Sequence, residues 1–298
     1  MPRIAVRWLN APFFSLRAQK VQDMSELLVL ASCIFFIAFL FPWRFRNHAA
    51  VLGWTGLVLF LFSEIPYYLE INNLLYPAIA ALSVPFLFIT AKNLLKGEVL
   101  VEQLSRAAAV AFLIYAPFAF TPLGDWLISV VVGQTLWVLQ AIGHPAGQAA
   151  WNMVEKNGFR VEIILACTGI QAIAIMLGVV AAVPTTTRQK ILSFILVAPT
   201  IYLLNLARNA AVITAYTEQW FPFLPGIAGN GELGYESFFW AHNIIAEGLA
   251  LLLLIVIAYG LFRVIPGLAV FATRLVELYA RDVRFAFAGV RRAFGRGK

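Results

Sequence analysis

Three side chains in the C-terminal half carry the chemistry open to this sequence. They are Cys167 in Ala166-Cys167-Thr168-Gly169-Ile170-Gln171, Arg208 in Asn205-Leu206-Ala207-Arg208-Asn209, and His242 in Ala241-His242-Asn243. A thiol attacks as its thiolate, and its free pKa is about 8.5. A neighbouring cation stabilises that anion, and an imidazole can take and return protons. Acyl transfer also needs donors aimed at a developing oxyanion, and Arg208 offers a permanently charged, planar fork of them. The triplet therefore supplies a nucleophile, a stabiliser of thiolate and oxyanion, and a proton carrier. Taken singly, each residue has a plainer explanation: a cysteine at a helix end is usually packing, an interfacial arginine snorkels to headgroups, and a histidine there bonds a loop. The joint reading is favoured because the three fall at corresponding ends of three successive apolar runs, 162–183, 190–213 and 238–262. Ionisable groups within spans are functional candidates by default.

Other polar residues sit around the triplet. Gly169 would let another backbone approach Cys167 closely. Gln171 follows Cys167 by four residues, on one helical face, and Asn205 precedes Arg208 by three, where it could orient the guanidinium. Asn243 adjoins His242. Glu247 follows His242 by five residues, a poor spacing for contact on an ideal helix, and is expected to pair with a charge on another helix. One Cys and one His make no convincing metal site, and no glycine-rich loop is present to cradle a phosphate, so neither metal nor cofactor is expected. The other cysteine, Cys33, lies mid-run in Leu30-Ala31-Ser32-Cys33-Ile34-Phe35 and reads as apolar filler. Two cysteines cannot make a disulfide framework.

The elements that must position these groups are membrane helices. The chain has 298 residues, 61% of them hydrophobic and only 12% charged, against about 25% charged in soluble domains. Further apolar runs lie at 27–43, 49–69, 73–91, 104–121 and 126–143, most of them near the length of about 20 residues needed to cross a bilayer. Pro66, Pro77, Pro85, Pro117 and Pro199 fall inside runs, where neighbouring helices tolerate kinks. The expected fold is an all-α integral membrane bundle of seven or eight transmembrane helices. Residues 1–263 form a single transmembrane catalytic domain, with its motifs in 150–263, and 264–298 form a basic cytoplasmic tail. The N-terminus shows no cleavable signal, since the first run ends at Pro42-Trp43-Arg44 without a small-residue cleavage site.

The net charge is +7, and its placement orients the chain. Arg188, Lys190 and the tail after Arg263 belong inside by the positive-inside rule, which puts Cys167, Arg208 and His242 at the extracytoplasmic face. The tail interleaves Val270, Phe271, Leu275, Leu278, Phe285 and Phe287 with Arg274, Arg281 and Arg284. Such a pattern suits an amphipathic helix on anionic headgroups or a solvated basic tail, and argues against nucleic acid as partner. The N-terminal half has two solutions. With 126–143 as a span there are eight helices, Arg3, Arg7, Arg17 and Lys20 are inside, and Arg44, Arg46, Lys92 and Lys96 outside. With 126–143 re-entrant or interfacial there are seven, and the N-terminus is outside. Between Gly143 and Glu162, Asn157-Gly158 flanked by alternating residues signals a β-hairpin, which would form a small extracytoplasmic cap. The segment Thr217–Ser237, rich in Gly, Pro and aromatic residues, could complete a roof over a cleft.

At these motifs the chain resembles the archaeosortase/exosortase family, whose members carry a Cys, an Arg and a third basic residue on successive helices. The resemblance covers roughly 150–263, and the Cys-Thr-Gly form and the 41-residue gap between Cys167 and Arg208 lean towards the archaeosortase branch. In that branch an Arg can occupy the third helix; here Glu247 lies in the comparable region and no Arg follows His242 until Arg263. The resemblance implies a sortase-like cysteine transpeptidase or protease. Its substrates would be proteins with a C-terminal sorting tail: a short motif, a transmembrane helix and a basic cluster. Cleavage near the motif would pass through a thioester, with transfer to an acceptor, often lipid-linked. Carried over by position, Cys167 is the nucleophile, Arg208 stabilises the intermediate and His242 is the acid/base. The rival reading is a transporter or lipid-binding protein whose Arg208 and His242 hold an anionic group.

Overall fold

Helices lacking a polar face are stable only when surrounded by lipid or protein, and this chain builds many of them. The computed structural model describes residues 12–70 and 73–295. Among the described residues, six helices are long and apolar enough to cross a membrane: Arg46–Leu69, Leu75–Leu95, Val99–Phe120, Leu123–Ala141, Thr187–Thr217 and Tyr235–Val264. Met24–Leu40 and Ile170–Val180 are shorter apolar helices. Each of the eight apolar runs thus overlaps one of these helices. Large apolar side chains such as Leu82, Phe88, Leu203, Leu252 and Ile255 project outward around the bundle, a surface that suits lipid and not water. Expectations placed on Arg3, Arg7, Arg17, Lys20 and Phe287 concern side chains outside those described.

In chain order the elements are α1 (Pro12–Leu40), α2 (Arg46–Ser63), α3 (Ile65–Glu70), α4 (Leu75–Leu95), α5 (Val99–Phe120) and α6 (Leu123–Ala141). Strands β1 (Gly147–Ala150), β2 (Met153–Lys156) and β3 (Phe159–Glu162) follow, then a 3-10 turn (Leu165–Thr168), α7 (Ile170–Val180) and α8 (Thr187–Thr217). Short α9 (Pro225–Ala228) and α10 (Tyr235–Phe238) lead into a π-helical segment (Phe239–Ala246), α11 (Glu247–Val264) and α12 (Pro266–Gly295).

One end of the bundle is basic and tightly tied. Arg46, at the start of α2, pairs with Glu102 of α5. Its neighbour Asn47 donates to the Leu94 carbonyl and to Glu102, both at 2.9 Å. Thr186 and Gln189 cap α8 reciprocally, and Gln189 also donates to the Val264 carbonyl, joining the start of α8 to the end of α11. Helix α12 crosses this end. Its Leu268 and Phe271 are buried with Ala182, Leu261 and Ile265, and its Leu278 is buried with Phe36, Leu94 and Val101. The Tyr279 hydroxyl lies 2.6 Å from that of Thr90. Asp282 accepts from Asn93 at 2.9 Å and from Lys92 at 3.3 Å. The tail is therefore a helix with an apolar face, but that face is taken up by protein as well as facing outward. Phe271 and Leu278 are core residues, because the ends of α4, α5 and α11 offer them a closer-packed partner than headgroups do.

The opposite end carries a small sheet. The strands form an antiparallel sheet of order β1-β2-β3. In the β2–β3 hairpin Lys156 faces Phe159 across Asn157 and Gly158, both left-handed at φ 54 and 81°, as a type I′ turn demands. The hairpin forms where Asn-Gly signalled it. β1 is an additional strand, exposed along its length and without the apolar alternation that would announce it. The sheet docks on the end of α8. Lys156 and His144 reach the Glu218 carboxylate at 2.7 and 2.6 Å, Asn157 donates to the Thr217 carbonyl, and Phe159 meets Tyr216 edge-on. Helix α6 begins two residues after α5, packs on the 3-10 turn and ends just before His144, beside Glu218. Both its ends therefore belong to this end of the bundle.

Candidate active site

Cys167 lies in the 3-10 turn, not in the helix after it. Gly169, at φ 80°, separates the two, a left-handed conformation that costs glycine little. Within the turn the Cys167 amide donates to the Ile164 carbonyl at 2.8 Å. Thr168 Oγ1 donates to the Leu165 carbonyl at 2.7 Å and accepts from the Ile170 amide at 3.3 Å. The break also corrects the placement of Gln171. No single helical face joins it to Cys167; its amide donates to the Tyr115 hydroxyl of α5.

Arg208 is on α8, a helix of 31 residues, or about 46 Å. Arg208 sits about 32 Å from its start at 1.5 Å per residue, close to one hydrocarbon thickness. Its Nη2 lies 3.1 Å from His242 Nε2. A guanidinium has donors only, so Nε2 accepts. His242 is then neutral, and its Nδ1–H donates to Asn243 Oδ1 at 2.8 Å. The ring of Phe238 stacks on the imidazole, 4.9 Å between centroids and 11° from parallel. Asn205, expected to orient Arg208, instead donates to the Cys167 carbonyl, and Asn209 does the same at 2.9 Å.

His242 lies within the π-helical segment, where the Glu247 amide bonds the His242 carbonyl five residues back. Five residues make about one turn in such a helix, so Glu247 returns to the side of the helix that His242 occupies. The two side chains nevertheless share no hydrogen bond or ion pair among the described residues. The Glu247 carboxylate feels the charge of Arg208 on α8, as expected of a partner on another helix, and Asn73, a neutral amide just before α4, lies 3.5 Å from its Oε1.

A cavity of about 700 Å³ gathers these groups. Cys167, Gln171, Asn205, Arg208, His242, Asn243 and Glu247 all line it. So do residues that sequence reasoning passed over: Tyr67 and Tyr68 of α3, Tyr76 of α4, and Trp220 and Phe221 after α8. Tyr68 and Tyr76 stack 3.8 Å apart. The clue was the Tyr67-Tyr68 pair beside Pro66, but tyrosines at span ends are common as interface anchors. Among the described residues, no three His, Cys, Asp or Glu side chains gather to hold a metal ion.

At the cavity mouth Glu218 holds the sheet. The hydrogen bond from Lys156, then that from His144, holds its carboxyl below the usual carboxylate range. Trp220 Nε1 also donates to it at 3.3 Å.

The fold and cavity define a multi-pass helical membrane protein with a thiol, a guanidinium and a neutral imidazole facing one cavity. The chain belongs to the transmembrane exosortase family, whose match spans residues 22–229, including Cys167 and Arg208. It is similar to Archaeosortase A of Haloferax volcanii, 26% identical over 241 residues, covering 72% of this chain and 80% of that protein. Archaeosortase A of Natronomonas pharaonis is 26% identical over 260 residues, covering 80% of this chain and 82% of the relative. No solved structure matches.

Proposed function

We propose that this protein is a membrane cysteine transpeptidase or peptidase that processes C-terminal sorting signals of surface proteins. The observation that carries the reading is the convergence of Cys167, Arg208 and His242 on one cavity, in a chain belonging to the exosortase family and similar to two archaeosortases. The substrate is a protein ending in a short motif, a transmembrane helix and a basic cluster. Cys167 attacks the scissile carbonyl, and the resulting oxyanion is held by the Arg208 fork. In the resting arrangement Arg208 occupies the Nε2 lone pair of His242. Swinging the guanidinium onto the substrate oxygen frees that lone pair to take the thiol proton and pass it to the leaving amine. A thioester remains on Cys167. An acceptor nucleophile, with a membrane lipid as the candidate, attacks it and regenerates the thiol.

Orientation follows from the same reading. Arg46, Lys92, Arg263 and Arg281 gather at the end crossed by α12, which is cytoplasmic by the positive-inside rule. The cavity is then extracytoplasmic, with the sheet as its cap, where a motif just outside the substrate's own transmembrane helix can reach the thiol. The placement of both ends of α6 at the cavity end supports the seven-span reading, in which α6 is re-entrant or interfacial and α1 begins outside.

The test is Cys167→Ala in cells expressing a surface protein with such a tail. Processing is expected to stop while the enzyme's level in the membrane is unchanged. Near-normal processing by the variant would sink the proposal.

A further inference from the structure

The carbonyl oxygen of Cys167 is met by two side-chain amides of α8, Asn205 Nδ2 and Asn209 Nδ2. The two asparagines are one helical turn apart, so a single face of α8 presents both donors. Asn209 is buried, 6% exposed. A Cβ at Gly169 would come within 3.4 Å of Asn205, so the turn bearing the cysteine lies in close contact with α8. Arg208 belongs to the same turn of α8 as both amides.

We propose that Asn205 and Asn209 are positioning residues, a two-amide clamp that sets the Cys167 peptide plane. The inference rests on the assignment of Cys167 as nucleophile. A peptide carbonyl is the negative end of a dipole, and turned towards its own thiolate it would oppose ionisation. The clamp directs that oxygen to α8 and neutralises it with two donors. It also fixes the distance between the thiol-bearing turn and Arg208, since the clamp residues flank the arginine on one rigid helix. Without the amides the half-buried Cys167 carbonyl loses both side-chain donors, and the turn is free to rotate about Gly169.

The clamp is tested through the thiol itself, with no need of the natural substrate. In the full-length enzyme in membranes, Cys33→Ala leaves Cys167 as the single thiol, because the chain has two cysteines. The rate of iodoacetamide alkylation is then followed against pH. Asn209→Ala and the bulk-conserving Asn209→Leu are both expected to move the midpoint up by about one pH unit, roughly tenfold less thiolate at neutral pH. Asn205→Ala is expected to move it in the same direction. Profiles of Asn205→Ala and Asn209→Leu that superimpose on the parent overturn the clamp, even if thermal stability has fallen. A shift with Asn209→Ala that Asn209→Leu abolishes assigns the effect to packing and also overturns it. If Asn209 variants do not accumulate, Asn205→Ala decides alone, since Asn209 still supports the turn. Failure of the nucleophile assignment reads separately, as processing that survives Cys167→Ala.

Discussion

The two ends of this bundle solve opposite problems with similar residues. At the α12 end charges are spent on each other: Arg46 with Glu102, Lys92 with Asp282, and Asn93 beside them. Apolar groups fill the remaining space. At the cavity, the hydrogen-bonded side-chain partner of the Arg208 guanidinium among the described residues is a neutral imidazole, the Glu247 carboxylate is near enough to feel its charge, and open volume is left beside the guanidinium. A cation matched to a carboxylate stabilises a fold. One held against a lone pair is available to an incoming anion. The comparison teaches that charge in the first region is structural, and that at the second end the Lys156–Glu218 pair holds the sheet while the Arg208 charge facing the cavity is held in reserve.

The largest effect should come from replacing the reserved cation. Arg208→Lys keeps the charge but loses the fork, and turnover should fall by on the order of 100-fold with little change in thermal stability. Wild-type turnover would reduce Arg208 to a point charge. His242→Ala should lower turnover less at high pH than at neutral pH, because hydroxide can deprotonate the thiol when no imidazole is present; a pH-independent loss would argue for packing under Phe238 instead. At the other end the balance should reverse. Asp282→Ala leaves Asn93 and Lys92 without their acceptor and should cost about 1–3 kcal/mol of stability, read as a lower melting temperature, with turnover per folded enzyme unchanged.

The smallest effect concerns Glu218. Its folded carboxyl titrates below its unfolded value, so its contribution is complete above the unfolded carboxylate pKa of about 4.3. That contribution is lost as pH falls through the depressed folded value. Protease sensitivity of the 143–162 segment should therefore rise only in acid, with Lys156 and His144 as the groups facing the carboxylate. Glu218→Gln should show raised sensitivity already at neutral pH; no difference from the parent there would remove the latch.

The spans and the β-hairpin were legible because both have strong local signals: long apolar runs, and Asn-Gly between alternating residues. The grouping of Cys167, Arg208 and His242 was legible from parity along the chain. Other features were hidden because they depend on backbone breaks. The left-handed Gly169 ends the turn one residue before α7 and so separates Gln171 from Cys167. Asn209 reads like any polar residue near a span end until the Cys167 carbonyl arrives beside it. Tyr67, Tyr68 and Tyr76 come from a region with no motif, and only tertiary packing brings them to the cavity. The α12 segment was read as lying on headgroups or as a solvated tail, because composition does not say whether an apolar stripe meets headgroups, water or protein.

The π-helical segment also bears on how such chains are compared. A π turn is an α turn that has gained a residue. A single deletion between His242 and Glu247 would let the helix relax to α geometry with the two residues four apart and still on one side, but every cavity residue before it would move one sequence position closer to those after it, with the membrane span itself intact. Alignments that preserve every helix can therefore still misregister this wall of the cavity by one residue. Relatives with a different third residue differ in its identity, in its angular position on the helix, or in both.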